Sequence, residues 1–245
     1  VLFGLLFVAA CASTAPAPAA PPPPVGNAEA LPPPETETPE SNVRPDANKE
    51  FKKDDLDVAA WTNRFEKGGR EIFDKRAEIM AFTGIGPGRH VADIGAGTGL
   101  FTMLFSKAVG DAGRVYAVDI ASKFIAHLDE RVKQSGVKNV VTVLATDRPS
   151  ELPPGSVDVA FICDVYHHFE YPKSTMASIA RALRPDGTVV LIDFRREPGR
   201  SPAWVLEHVR AGEDVFTAEM EAAGFVRVDR SDLLQANYML KFRKK

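Results

Sequence analysis

Hydrophobic positions from Phe51 onward fall into two alternating patterns. Short, continuous apolar runs at 90–94, 114–120, 140–145, 157–163 and 187–192 are bounded by turn residues, as strands buried on both faces are. Between them, residues 100–109, 122–134 and 172–183 place apolar side chains at helical spacing. Pro172 opens its helix where a first turn tolerates proline. Strands that alternate with helices predict an α/β fold, a doubly wound and mostly parallel sheet covered on both faces. The pattern changes at the end, where 225–230 and 238–243 read as two strands with no helix between them, a terminal antiparallel hairpin. Ahead of the first strand, 58–82 predicts one or two N-terminal amphipathic helices. Their expected buried set is Ala60, Trp61, Phe65, Ile72, Phe73, Ile79 and Met80.

Composition separates this region from what precedes it. Eleven of the 19 prolines lie between Pro16 and Pro45, in a stretch poor in aromatic and large aliphatic residues. Such a stretch buries too little apolar surface to offset the entropy of ordering it, so 12–50 is expected to be a disordered tether and 51–245 a single domain. Residues 1–11 form a short apolar run ending Val8-Ala9-Ala10-Cys11, too short to span a bilayer. Small residues before a cysteine resemble the lipobox of bacterial lipoproteins. That resemblance implies a signal segment, a lipid anchor at Cys11 and a place in the bacterial cell envelope, or the cytoplasm if the leader is not used. A net charge of −3 gives no attraction for nucleic acid. Two cysteines make neither a disulfide framework nor a ligand cluster, and no metal centre is expected.

The candidate chemistry begins directly after the first strand, in Val91-Ala-Asp-Ile-Gly-Ala-Gly-Thr-Gly99. Gly95 and Gly97 remove Cβ atoms where the chain must turn and a ligand can lie against the backbone. The helix that follows offers unpaired N–H groups. A pyrophosphate-binding fingerprint is G-x-G-x-x-G, whereas this loop is G-x-G-x-G with Asp93 two residues before it. A carboxylate there repels a pyrophosphate but suits a ligand carrying an ammonium and a sulfonium. Asp119 ends the second strand, where it can accept from two ribose hydroxyls. Asp147 follows the third strand and can accept from an adenine amino group. Ligands of open α/β sheets gather at the carboxyl ends of strands, where all three acids stand.

Residues Val91 to Thr102, with Asp119 and Asp147, resemble the cofactor motifs of the class I S-adenosylmethionine-dependent methyltransferases. Ser156 to Asp164 and Leu183 to Ile192 resemble the family's fourth- and fifth-strand segments. The resemblance implies a Rossmann-like, seven-stranded sheet with its last strand antiparallel, and S-adenosyl-L-methionine as cofactor. It further implies that Gly95, Ala96, Gly97 and Gly99 form the cofactor loop and that Ile120 packs on the adenine. Asp164 is implied to lie at the cofactor's amino acid end. The family places its acceptor at the end of the fourth strand, here Cys163-Asp-Val-Tyr-His-His-Phe169. Tyr166, His167 and His168 are therefore the candidate catalytic residues, with at most one of the two histidines expected to face the acceptor.

The fourth-strand segment lacks the Asp/Asn-Pro-Pro-Tyr motif of many adenine, cytosine and glutamine N-methyltransferases, which favours a small-molecule acceptor. With Cys163 the only cysteine of the domain, arsenite-type thiol chemistry is disfavoured, and that cysteine is expected to be buried. Two flanking regions could shape a pocket: 61–76, with Arg64, Glu66 and Arg70, and 195–212, with Trp204, His208 and Arg210. Two other functions stay open beside methyl transfer. One is a cofactor-binding but catalytically degenerate module of the envelope, since an exported domain faces away from the cytoplasm where the cofactor is made. The other is a nicotinamide-dependent oxidoreductase, which the loop spacing and Asp93 disfavour.

Overall fold

The computed structural model describes residues 40–41, 43–146 and 152–245. The leader, most of the expected tether and Asp147 lie outside them. Three short helices, α1 (Val58–Phe65), α2 (Glu71–Asp74) and α3 (Arg76–Thr83), precede the alternating region. That region runs β1 (His90–Ile94), α4 (Leu100–Val109), β2 (Arg114–Asp119), α5 (Ser122–Ser135), β3 (Val140–Leu144) and β4 (Val157–Cys163). A single 3-10 turn (Tyr166–His168) leads to α6 (Pro172–Ala182) and β5 (Leu183–Phe194). The chain ends with α7 (Ala203–His208), α8 (Glu213–Ala222), β6 (Phe225–Ser231) and β7 (Asn237–Lys244).

The strands form one seven-stranded sheet in the order β3-β2-β1-β4-β5-β7-β6. The first five are parallel, and β7 inserts antiparallel between β5 and β6. Strand order reverses between β1 and β4, which opens a crevice at their carboxyl ends. Side chains alternate across the sheet, as the two-residue period of a strand requires. Along β4, Ala160 and Ile162 join Met176, Ile179 and Phe216 on one face, while Val159 and Phe161 join Phe101 and Phe105 on the other. Phe105 and Phe161 are fully buried and meet edge to face with ring centroids 5.0 Å apart. Burying each such ring contributes about 1.5–3 kcal/mol, which fixes α4, and so the loop before it, against the sheet.

Two expectations change. The N-terminal region is broken into three helices, and of the expected buried set only Ile72 and Ile79 are buried. Helix α1 buries none of its residues. Its aromatic side chains instead join an outer stack in which Trp61 meets Phe51 and Phe65 at 5.2 and 5.0 Å. The break follows from Gly68 and Gly69, the latter at φ +90°, where a helix cannot continue. The packed unit also begins earlier than Phe51. Val43 N–H donates to the Glu170 carbonyl (2.9 Å), and buried Asn48 donates to the His168 carbonyl (3.1 Å) and to Glu170 Oε1 (3.2 Å). Glu40 accepts from Lys173 N–H and Ser174 N–H at 2.7 and 2.8 Å, a carboxylate cap on the first turn of α6.

Candidate functional site

The loop from β1 to α4 turns through three glycines in the left-handed region, Gly95 at φ +71°, Gly97 at +53° and Gly99 at +88°. Asp119, at the end of β2, holds this loop from below. Its Oδ2 accepts from Gly97 N–H and its Oδ1 from Ala121 N–H, both at 2.8 Å. Each oxygen keeps a lone pair for a further donor. Asp93, near the end of β1, accepts from the Thr102 hydroxyl at 2.6 Å. Both acids are nearly buried, at 3% and 7% exposure. Ala96 is buried beside them and Ile120 is partly exposed.

Helix α1 lies over this loop, a placement the sequence left open. A Cβ at Gly97 would sit 3.6 Å from the Phe65 ring. Glu66, at the end of α1, accepts from the Thr98 hydroxyl (2.8 Å) and pairs with Arg131 of α5 (2.6 Å). Asp164 sits at positive φ (+55°) just past β4, where Arg70 Nη2 and Asn237 Nδ2 donate to its two oxygens at 2.7 and 2.6 Å. Glu66 and Arg70 thus tie the N-terminal helices to the rim of the crevice. Cys163 is only half-buried, yet desolvation first and the Asp164 charge second push its thiol pKa well up, so it stays protonated.

The acceptor-end candidates separate. Tyr166 is fully buried in the core beside Phe169 and Phe216, with ring centroids 5.0 and 4.9 Å away. Burial pushes its phenol far above the ordinary value, so it stays protonated. His167 and His168 are both buried, and both turn toward His208 of α7, with ring centroids 5.1 and 5.0 Å from it. His167 Nδ1 lies 2.8 Å from Asp193 Oδ1 at the end of β5, and the same carboxylate accepts from His167 N–H at 3.1 Å. His168 Nδ1 faces the Ala47 carbonyl at 3.1 Å, and its Nε2 lies 3.3 Å from His208 Nε2. Burial first and the neighbouring His167 second lower the pKa of His168 to about 3 and that of His208 to about 4, so both are neutral at pH 7. An open concavity of about 440 Å³, lined by Arg195, Glu213, Thr217 and Arg227 among others, holds none of these residues. Glu213 already pairs there with Arg195 and Arg227.

Residues 92–191 match a family of methyltransferase domains. That match runs from within β1 to within β5, the part of the sheet that holds the glycine loop and both buried acids. It is similar to the ubiquinone/menaquinone biosynthesis C-methyltransferase UbiE of Vibrio campbellii, with 30% identity over 135 residues, 55% of this chain and 52% of that one. A ubiquinone biosynthesis O-methyltransferase of Methylococcus capsulatus is 27% identical over 118 residues, 48% of each chain. The chain spans about half the length of the curated relatives it matches. The fold is shared with a crystal structure of an S-adenosylmethionine-dependent methyltransferase from Aquifex aeolicus, at TM-score 0.67 and 24% identity, covering 75% of this chain and 96% of the other.

The glycine loop sits over a charge imbalance that suits a cationic ligand. Burial raises Asp93 to about 7, with the nearby Asp119 charge adding to the effect, and burial raises Asp119 to about 6. Among the described residues neither acid has an ion-pair partner. Two buried carboxylates without a counter-ion favour a cationic ligand over a phosphate. The sign follows from linkage. Below about pH 7 the ligand-free domain holds a proton on Asp93 that a cation must displace, so affinity is complete above that pH and lost as pH falls. S-adenosylmethionine should bind roughly tenfold more weakly at pH 6 than at pH 8, and Asp93→Asn should flatten that dependence. Calorimetry at the two pH values checks this, and a wild-type affinity that does not change with pH would contradict it. By the same linkage Asp93 makes the ligand-free fold less stable as pH rises from about 4 through 7.

Proposed function

We propose that this chain transfers a methyl group from S-adenosylmethionine to a small-molecule acceptor by in-line displacement. The observation that carries this reading is the pair Asp93 and Asp119, buried beneath a three-glycine loop at the point where strand order reverses. When bound, the cofactor supplies an electrophilic methyl on a sulfonium, so the protein's task is to place the acceptor and exclude water. In this reading Asp119 holds the ribose hydroxyls, Gly95, Ala96, Gly97 and Gly99 lie along the methionine portion, and Ile120 packs on the adenine. Asp147 accepts from the adenine amino group. Asp164 acts through the Arg70 pair at the amino acid end, and Asp93 offsets the positive charge.

The acceptor end is assigned to His167 and His168, which follow β4 just after Val165, the residue that faces Gly95. The names of the quinone-biosynthesis relatives support an electron-rich aromatic ring as the acceptor class. The test is formation of S-adenosylhomocysteine from S-adenosylmethionine across a panel of catechols, hydroquinones and phenols. Acceptor-dependent product is expected. Tight cofactor binding with no turnover on any acceptor would instead favour a degenerate binding module.

We also propose that Cys11 carries a lipid anchor in the cell envelope, a reading supported by Val8-Ala9-Ala10-Cys11 alone. Membrane-fraction protein that Cys11→Ser releases is the expected result.

A further inference from the structure

We propose that His167, His168 and His208 form a binding site for one divalent transition-metal ion of the zinc type. The three imidazoles come from two elements, the turn after β4 and the last turn of α7. One ring nitrogen from each lies within 4.8 Å of the other two. The two Nε2 atoms of His168 and His208 are 3.3 Å apart. Tetrahedral zinc with Zn–N bonds of about 2.0–2.1 Å requires ligand nitrogens about 3.3 Å apart, so this pair already has the spacing.

The surroundings fix the rings as they would for a metal. A carboxylate and a carbonyl only accept hydrogen bonds, so Asp193 and the Ala47 carbonyl place the proton of His167 and of His168 on Nδ1. Each Nε2 is thereby left with its lone pair. Carboxylate–histidine and carbonyl–histidine pairs of this kind orient metal ligands and raise their basicity. Asp193 is fully buried and also holds the backbone of His167, which fixes the ring from two directions. Arg44 donates to the His208 carbonyl and pins the third ligand from behind, although its charge opposes a cation.

Without a metal, His168 and His208 can share only one proton between their Nε2 atoms, which requires His208 to carry it. A bound ion replaces that proton, and His208 moves its own to Nδ1, so no proton is released overall. Three neutral nitrogen ligands with no thiolate suit zinc and the neighbouring late divalent metals better than magnesium or calcium. Three protein ligands leave one position for water or an acceptor oxygen, the arrangement of a catalytic rather than a structural zinc site.

The test is titration of the metal-stripped full chain with Zn²⁺, and with Co²⁺ as a spectroscopic probe of coordination. One equivalent should bind, with the visible absorption of four-coordinate cobalt. His208 is exposed, so His208→Ala should fold normally and remove that site. Asp193→Asn should weaken it by roughly 10–100-fold. His127→Ala, on α5, should change nothing. Binding of S-adenosylhomocysteine by the metal-free protein should survive His208→Ala, which separates this proposal from the cofactor reading. No stoichiometric zinc binding, or binding that His208→Ala leaves intact, overturns it.

Discussion

Replacing Asp119 by alanine should weaken S-adenosylhomocysteine binding by at least ten- to a hundred-fold. Hydrogen bonds to a charged group contribute about 1.5–3 kcal/mol, and two ribose hydroxyls would lose that acceptor. The structure makes the loss larger than a ligand contact alone. Asp119 also holds Gly97 N–H and Ala121 N–H, so alanine leaves two backbone donors without their acceptor and releases the middle of the glycine loop. Each unsatisfied buried donor costs about 1–3 kcal/mol. Asp119→Asn keeps one carbonyl acceptor and should fall between wild type and alanine in both affinity and stability. Calorimetric titration and thermal melts of the two variants measure these effects. Wild-type affinity in Asp119→Ala would remove the ribose assignment.

Gly95→Ala should be the most destabilising single methyl added to the loop. At φ +71° an alanine is strained by about 1–2 kcal/mol. Its Cβ would also lie 2.4 Å from Val165 Cγ2, where a real contact cannot exist. Overpacking of this kind costs about 1–3 kcal/mol, so the total is about 2–5 kcal/mol. Two variants separate these causes. Gly97→Ala has a similar backbone angle but meets Phe65 only at 3.6 Å, so it should show the backbone cost alone. Val165→Ala in the Gly95→Ala background should recover the steric part and leave the rest, read as a double-mutant cycle from denaturant unfolding. Equal losses at Gly95 and Gly97 would mean that Val165 does not pack against the loop.

The sheet was legible because its strands are buried on both faces, which writes continuous apolar runs into the sequence. Strands β1 to β4 fall within a residue of the segments read from those runs, and the closing antiparallel pair was marked by the missing helix before β7. Local periodicity served less well where burial is shared. Trp61 and Phe65 have the spacing of a core face, yet they form an outer stack over the glycine loop, because their partners Phe51 and Gly97 come from elsewhere in the chain. Asn48 and Glu40 are polar residues in a proline-rich stretch, so nothing local marked them as packed against the 3-10 turn and α6.

The same limit applies to the site. The acids stood out as candidates because each stands at a strand end, Asp93 two residues before the glycines and Asp119 at the close of β2. His208 lies 40 residues beyond His168, and Asp193 lies 26 beyond His167, so only folding brings the four together. Tyr166 packs into the core while His167 and His168 turn toward His208, since adjacent residues in a tight turn point to different sides.

The most direct test of the central claim is a calorimetric titration of the chain at pH 8 with S-adenosylhomocysteine and, separately, with NAD. A glycine loop held by Asp119, with Asp93 buried beneath it and without an ion-pair partner among the described residues, favours an adenosyl ligand with a cationic end and repels a pyrophosphate. The predicted result is one equivalent of S-adenosylhomocysteine bound, an affinity lost in Asp119→Ala, and no heat from NAD. Binding of NAD with no response to S-adenosylhomocysteine would contradict it.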